Sequence, residues 1–164
     1  MTMMAGLAAG LAVLGSFKLP GLLPGTEFQL SAPFAVALAA CLGFKRYFVI
    51  GVLASLLNFM LGTHTLLNVV VALVFRVTAG GLLALAGVRG LTVFLAGPLG
   101  TAAARLVLSA LLGVSPWVLI GAAAPGMLLT AVAALALYPL LRRLLAGLYG
   151  EGVLLPPVKG GRQK

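Results

Sequence analysis

Two arginines lie inside long apolar segments of the sequence, where a charged side chain has a high energetic cost. Arg76 is near the middle of segment 65–86, and Arg105 lies within segment 91–112. About 20 apolar residues span the roughly 30 Å hydrocarbon core of a bilayer, so both side chains fall at membrane depth. Such residues mark binding sites or ion paths, although either arginine could instead hold the helices together. The sequence leaves both roles open.

Other polar residues share helical faces or lie near the same ends of the apolar segments. Gly51, Ser55 and Asn58 recur at helical spacing, and Thr101 shares a face with Arg105. Further candidates stand at segment ends: Glu27, Gln29, His64, Asn68 and Trp117. Each also has a simpler interpretation, such as interhelical hydrogen bonding for the amides and hydroxyls or interface anchoring for the tryptophan.

The candidate residues favour binding over catalysis. The chain has one histidine, two acidic residues and no aspartate, and it lacks both a metal-ligand cluster and a phosphate-binding glycine motif followed by lysine. We therefore expect neither an enzyme nor a bound cofactor or metal. Two arginines and a histidine favour an anionic or carboxylate-bearing solute, whereas Glu27 could neutralise one arginine and form a purely structural pair.

The composition excludes a soluble domain. Hydrophobic residues make up 62% of the chain and charged residues 8%, and the mean hydropathy is +1.21, too apolar for a surface in water. The sequence predicts an all-α integral membrane protein, a compact bundle of six transmembrane helices in residues 1–147, followed by a flexible basic tail in residues 148–164. The predicted helices are 3–17, 28–42, 47–61, 65–86, 91–112 and 117–141.

The basic residues predict the orientation of these helices. One face of a six-span bundle receives eight of them: Lys45, Arg46, Arg89, Arg142, Arg143, Lys159, Arg162 and Lys164. The opposite face receives Lys18 alone. Because lysine and arginine in short loops stay in the cytoplasm, both termini are expected inside the cell. The same rule accounts for the net charge of +9 without nucleic acid as a partner, and the polar candidates then lie in the outer half above an apolar floor.

Five features of the chain together resemble those of a known family. They are its small size, the six predicted helices, a Pro/Gly-bearing loop at 19–27, the segment FQLSAPFAVALA from residue 28 and a basic C-terminus. The chain resembles the substrate-binding S components of energy-coupling factor transporters, which take up vitamins and micronutrients in prokaryotes. Small residues on the first helix match that family's Ala-x-x-x-Ala docking motif: Ala5 with Ala9, and Ala8 with Ala12.

The resemblance implies a membrane subunit in a prokaryotic cell membrane that captures a vitamin-like solute from outside. It would then associate with a transmembrane T subunit and two ATPase subunits and topple in the lipid to release the solute inside. An alternative from another class is a small membrane scaffold without a ligand, in which the arginines are structural and the basic inner face recruits soluble proteins.

Overall fold

Six helices dominate the computed structural model, which describes residues 2–19 and 28–156. They are α1 Thr2–Ser16, α2 Ser31–Leu42, α3 Phe44–Met60, α4 Leu66–Ala86, α5 Gly90–Leu112 and α6 Pro116–Tyr149. A short 3₁₀ turn, Glu151–Val153, follows α6. Two strands of two residues, β1 Lys18–Leu19 and β2 Phe28–Gln29, pair in antiparallel orientation. The prediction of six helices is confirmed for the described part of the chain.

Three of these helices are long and apolar enough to cross a membrane: α4, α5 and α6. The apolar helices α1 and α2 are shorter, with 15 and 12 residues. At about 1.5 Å per residue, α2 is only about 18 Å long and falls short of the hydrocarbon thickness. The helices thus support a membrane location, and the number of complete crossings stays a prediction.

The boundaries around α2 differ from the prediction. The helix predicted for 28–42 begins only at Ser31, because Phe28 and Gln29 form backbone pairs with β1. The helix predicted for 47–61 begins earlier, at Phe44, since Gly43 alone links α2 to α3. Gly43 has a φ of +80°, a conformation that residues with a Cβ rarely adopt. The predicted loop around Lys45 and Arg46 is therefore the first turn of α3.

The last helix is longer than predicted, because α6 continues beyond 141 to Tyr149. Its added turns carry Leu145, which is buried together with Leu141, so the same apolar face keeps packing against the bundle. Gly150, with a φ of +81°, ends the helix. Residues 148–149 of the predicted tail are thus helical, and residues 157–164 lie outside the described residues.

Residues 150–156 form a segment that we call the C-terminal strap, and it is bound to the ends of three helices. The backbone N–H of Leu155 donates to the carbonyl of Cys41 near the end of α2, at 2.8 Å. Arg142 donates to the carbonyl of Leu155 at 2.6 Å and pairs with Glu151 at 3.0 Å. Arg46 of α3 donates to the carbonyl of Val153. The strap thereby pairs a carbonyl that the end of α2 leaves without a helical partner.

The short helix α2 lies at the centre of the bundle. Its residues from Ala35 to Leu42 are all buried, and it packs against each of the other five helices. A helix that is apolar on every side suits such a position. Its many alanines let neighbouring backbones approach closely, which is how helices associate where lipid supplies no hydrophobic driving force.

The two ends of the bundle differ in how their interior is filled. We call them the Ser31 end, where α2 begins, and the Gly43 end, where α2 stops. Buried apolar side chains fill the half next to the Gly43 end, among them Tyr47, Leu83 and Val93. The half next to the Ser31 end holds a cavity.

Removal of the C-terminal strap should destabilise the folded protein. A chain ended after Tyr149 loses the hydrogen bond to Cys41 and the partners of Arg142, so we expect its free energy of unfolding to fall by about 1–3 kcal/mol. Thermal melting in detergent measures this. A chain ended after Pro156 keeps the strap and serves as the control. Equal melting of the two truncated proteins would show that the strap contributes nothing.

Candidate functional site

A cavity of about 220 Å³ lies between the start of α2 and the facing sides of α4, α5 and α6. Its polar lining residues are Ser31, Asn68, Arg76, Thr101, Arg105 and Thr130, and the remaining lining is apolar, including Leu11 of α1. Drug-sized ligands occupy roughly 300–1,000 Å³, so this cavity suits a smaller solute. A few polar groups set in an apolar wall are typical of a small-molecule site.

Four of the nine predicted binding residues line this cavity: Asn68, Arg76, Thr101 and Arg105. They come from two helices, α4 and α5, which pack side by side. Close packing is possible because Gly100 has no side chain where a Cβ would lie 2.9 Å from the ring of Phe75. The helical spacing of Thr101 and Arg105 then turns both toward the same space.

Arg76 is held by residues of α3 that do not line the cavity. Its guanidinium Nη1 donates to Ser55 Oγ at 2.6 Å. A Cβ at Gly51 would lie 2.3 Å from Nε and 2.4 Å from Cδ of this arginine, so the side chain rests directly on the glycine backbone. Gly51 and Ser55 of α3 therefore hold the Arg76 side chain, and we call these two residues the seat of Arg76. Its Nε is buried and has no hydrogen-bond partner among the residues described.

Arg105 differs from Arg76 in its surroundings. It lines the cavity from α5 and is only partly buried. Within residues 2–19 and 28–156 no side chain or backbone group forms a hydrogen bond or ion pair with its guanidinium. A charged fork of donors next to an apolar cavity is suited to bind a carboxylate.

The start of α2 adds to the positive character of this cavity. Leu30, Ser31, Ala32 and Pro33 all line it, and no side chain caps this helix start. The first N–H groups of a helix lack intrahelical partners and carry a partial positive charge, which favours anions nearby. No acidic residue belongs to the described lining. The electrostatics of the cavity thus favour an anion over a cation.

Two other predicted binding residues, Asn58 and His64, fasten α1 to α3 instead. Ser16 Oγ donates to Asn58 Oδ1 at 3.3 Å, and Thr63 Oγ1 donates to the Asn58 carbonyl at 2.9 Å. His64 Nε2 lies 3.4 Å from the carbonyl of Gly15. Neither residue is among those that line the cavity. The contact of Asn58 with Ser16 is thus a hydrogen bond between two helices, which is the simpler of its two interpretations.

The remaining residues predicted to bind the solute or a partner do not line the cavity, or they fall outside the residues that the structure describes. Trp117 is the second residue of α6, and 79% of its surface is exposed. Gln29 pairs with Lys18 through the backbone of β2, and Glu27 falls outside the described residues. On α1, Ala5 and Ala9 are exposed, whereas Ala8 and Ala12 are buried against the bundle.

Sequence reasoning missed two polar residues of the cavity, Ser31 and Thr130. The sequence predicts a helix over 28–42 with Ser31 inside it, whereas α2 starts at this residue. Thr130 did carry a signal, since it is the only hydroxyl in the apolar stretch 117–137. The structure also shows why it lies there: a Cβ at Gly97 would be 2.5 Å from Thr130 Cγ2, so the threonine fits only against a glycine.

Comparison with known proteins gives one clear relationship. Protein BioX of Lysinibacillus sphaericus is 48% identical to the chain over 140 residues, which cover 85% of this chain and 82% of that protein. The chain belongs to the BioX family. No protein-family model matches the chain, and no solved structure matches it. Three helices long and apolar enough to cross a membrane support a membrane location for this member of the family.

The seat of Arg76 predicts opposite effects for two glycine substitutions. Gly51→Ala places a Cβ inside the arginine and should lower the free energy of unfolding by about 1–3 kcal/mol. Gly81→Ala, on the next helix, meets nothing within 4 Å, and should keep or raise stability because alanine is the better helix former. Melting temperatures in detergent compare the two.

A second background tests whether the clash involves Arg76. In a protein that already carries Arg76→Ala, Gly51→Ala should cost much less, since the space is free. An unchanged cost in that background would show that something other than the arginine rests on Gly51.

Proposed function

We propose that this member of the BioX family is the solute-capturing membrane subunit of an ATP-driven uptake transporter, an S component of the energy-coupling factor type. It binds a small carboxylate-bearing solute in the cavity at the Ser31 end. The observation that carries this proposal is the cavity itself, because it combines two arginines, a helix start and an apolar wall without a described acidic residue.

The distribution of charge supports an orientation for this subunit. The Gly43 end carries Arg46, Arg89 and Arg142 at or near helix ends, and the basic C-terminus follows α6. With this end in the cytoplasm, the cavity lies in the outer half of the membrane. Buried apolar side chains then separate it from the inside, so a bound solute needs a movement of the whole subunit to be released. Both termini are cytoplasmic in this orientation.

The proposed partners are a transmembrane T subunit and two ATPases. The sequence contains no phosphate-binding motif that would let the chain hydrolyse ATP itself. The exposed face of α1 offers a contact surface for the T subunit, since Ala5, Gly6, Ala9 and Gly10 all lie on it. Small residues let a second helix approach closely in lipid. Ala8 and Ala12 are not part of the proposed surface, because they already pack inside the bundle.

The name of the relative suggests to which area of metabolism the solute belongs. BioX points to biotin, a vitamin with a carboxylate, and a biotin-related carboxylate agrees with the positive lining of the cavity. We therefore propose a solute that is biotin or a compound related to it. The cavity volume of about 220 Å³ argues against much larger vitamins.

Binding to the purified protein tests the proposed site. Calorimetry with biotin and with straight-chain carboxylic acids should find a ligand, and Arg105→Ala should weaken its binding. Loss of one partner of a buried charge pair costs about 2–5 kcal/mol, equivalent to roughly 30- to 4,000-fold in affinity. The melting temperature should stay close to that of the wild type, because removing a membrane-embedded charge also removes a desolvation penalty. A lower melting temperature with unchanged affinity would make Arg105 structural and favour a scaffold.

Docking through α1 is tested separately in cells. Ala9→Trp should abolish uptake of the ligand found above and leave its binding to the purified protein unchanged, since Ala9 lies on the surface of the bundle. Ala84→Trp places the same bulk on an exposed position of α4 and should leave uptake intact. Full uptake by the Ala9→Trp variant would exclude this face of α1 as the site of coupling.

A further inference from the structure

We infer that the captured solute carries two acidic groups, one at each end of an apolar body, as an α,ω-dicarboxylate does. This inference rests on the proposed function, because it specifies the ligand of the same cavity. It goes beyond a single carboxylate and is carried by the number, the placement and the unpaired state of the charges around the cavity.

The first step is the charge balance. Arg76 and Arg105 both line the cavity, and no described lining residue is acidic. The chain has only two acidic residues. Glu151 pairs with Arg142 at the Gly43 end, and Glu27 falls outside the described residues. Guanidinium groups in apolar surroundings are costly unless each meets an opposite charge. A monocarboxylate supplies one negative charge to a cavity that holds two positive side chains.

The second step concerns the helices that hold the two guanidinium groups. Arg76 on α4 donates to Ser55 and rests on Gly51, and both of these residues belong to α3. Its guanidinium is therefore drawn toward α3. Arg105 extends from α5, which packs against α4. The two guanidinium groups thus reach the cavity from different helices, one fixed on α3 and one without such a contact, which favours a separate acidic group for each.

The third step concerns the depth of the two arginines and the cavity wall near them. Arg76 is ten residues from the start of α4 and Arg105 seven from the end of α5, which places them at depths of about 15 Å and 10 Å from the Ser31 end. The lining near them is mostly apolar and includes Ala72, Phe75 and Ala104. An apolar linker between two acids matches these three side chains, because a polar group beside them would lose its hydration without gaining a partner from them.

The experiment compares acids that differ only in the second carboxylate. Calorimetry on the purified full-length protein uses dicarboxylates from succinate to sebacate, the straight-chain monocarboxylates of equal length, and biotin, which has a single carboxyl group. We expect one dicarboxylate in the series to bind at least about 30-fold more tightly than its monocarboxylate partner, a ratio that corresponds to about 2 kcal/mol.

Variants then assign this ratio to the two arginines. Arg105→Met and Arg76→Met keep most of the side-chain volume and remove the charge. Each should reduce the dicarboxylate-to-monocarboxylate ratio to a few-fold, whereas a merely structural arginine would weaken both ligands equally and leave the ratio unchanged. Arg143→Met removes an exposed charge of α6 and should leave the ratio as in the wild type. If Arg76→Met fails to fold, Arg105→Met alone still gives the answer.

The remaining outcomes separate this inference from the proposed function. Equal affinity for the two members of every pair, or tight binding of biotin with no binding of any dicarboxylate, would overturn the two-acid ligand and leave a carboxylate-capturing subunit in place. Absence of binding for every acid in the series, biotin included, would overturn both.

Discussion

The structure depends on the placement of two guanidinium groups inside a bundle that offers them hardly any partners. In water each would be hydrated, but at membrane depth the chain must supply contacts of its own. For Arg76 it does so with Gly51 and Ser55, which let the side chain lie against the α3 backbone and reach one hydroxyl. For Arg105 the described residues provide no such contact, and the cavity lies beside it. This difference between the two arginines is the main reason for proposing that a solute binds in this space.

The short central helix makes the cavity possible. A helix of 12 residues cannot fill the core of a bundle built around α4, α5 and α6, which have 21, 23 and 34 residues. From Val36 to Leu42, α2 is buried against the other helices. Beside its first residues, at the Ser31 end, the longer helices enclose the cavity. One short element therefore determines both the closed half and the open half of the molecule.

The sequence predicted much of this arrangement but not its boundaries. Apolar length located all six helices, since hydrophobicity is the dominant signal for membrane helices. Helical spacing placed Thr101 beside Arg105 and grouped Gly51 with Ser55. It could not show that the group on α3 supports Arg76 from behind instead of facing a solute, because that depends on which helices are neighbours. The late start of α2 depends on the pairing of Phe28 and Gln29 with the earlier strand β1, for which local pattern gives no signal.

The C-terminal strap has a consequence for how the protein is made. The carbonyl of Cys41 receives its partner from Leu155, and these two residues are separated by most of the chain. A polypeptide is synthesised from its N-terminus, and the first helices enter the membrane before the last ones exist. The Cys41 carbonyl at the end of α2 therefore lacks this hydrogen bond until α6 and the residues after it have left the ribosome. Final closure of this end of α2 is coupled in this way to the synthesis of the strap.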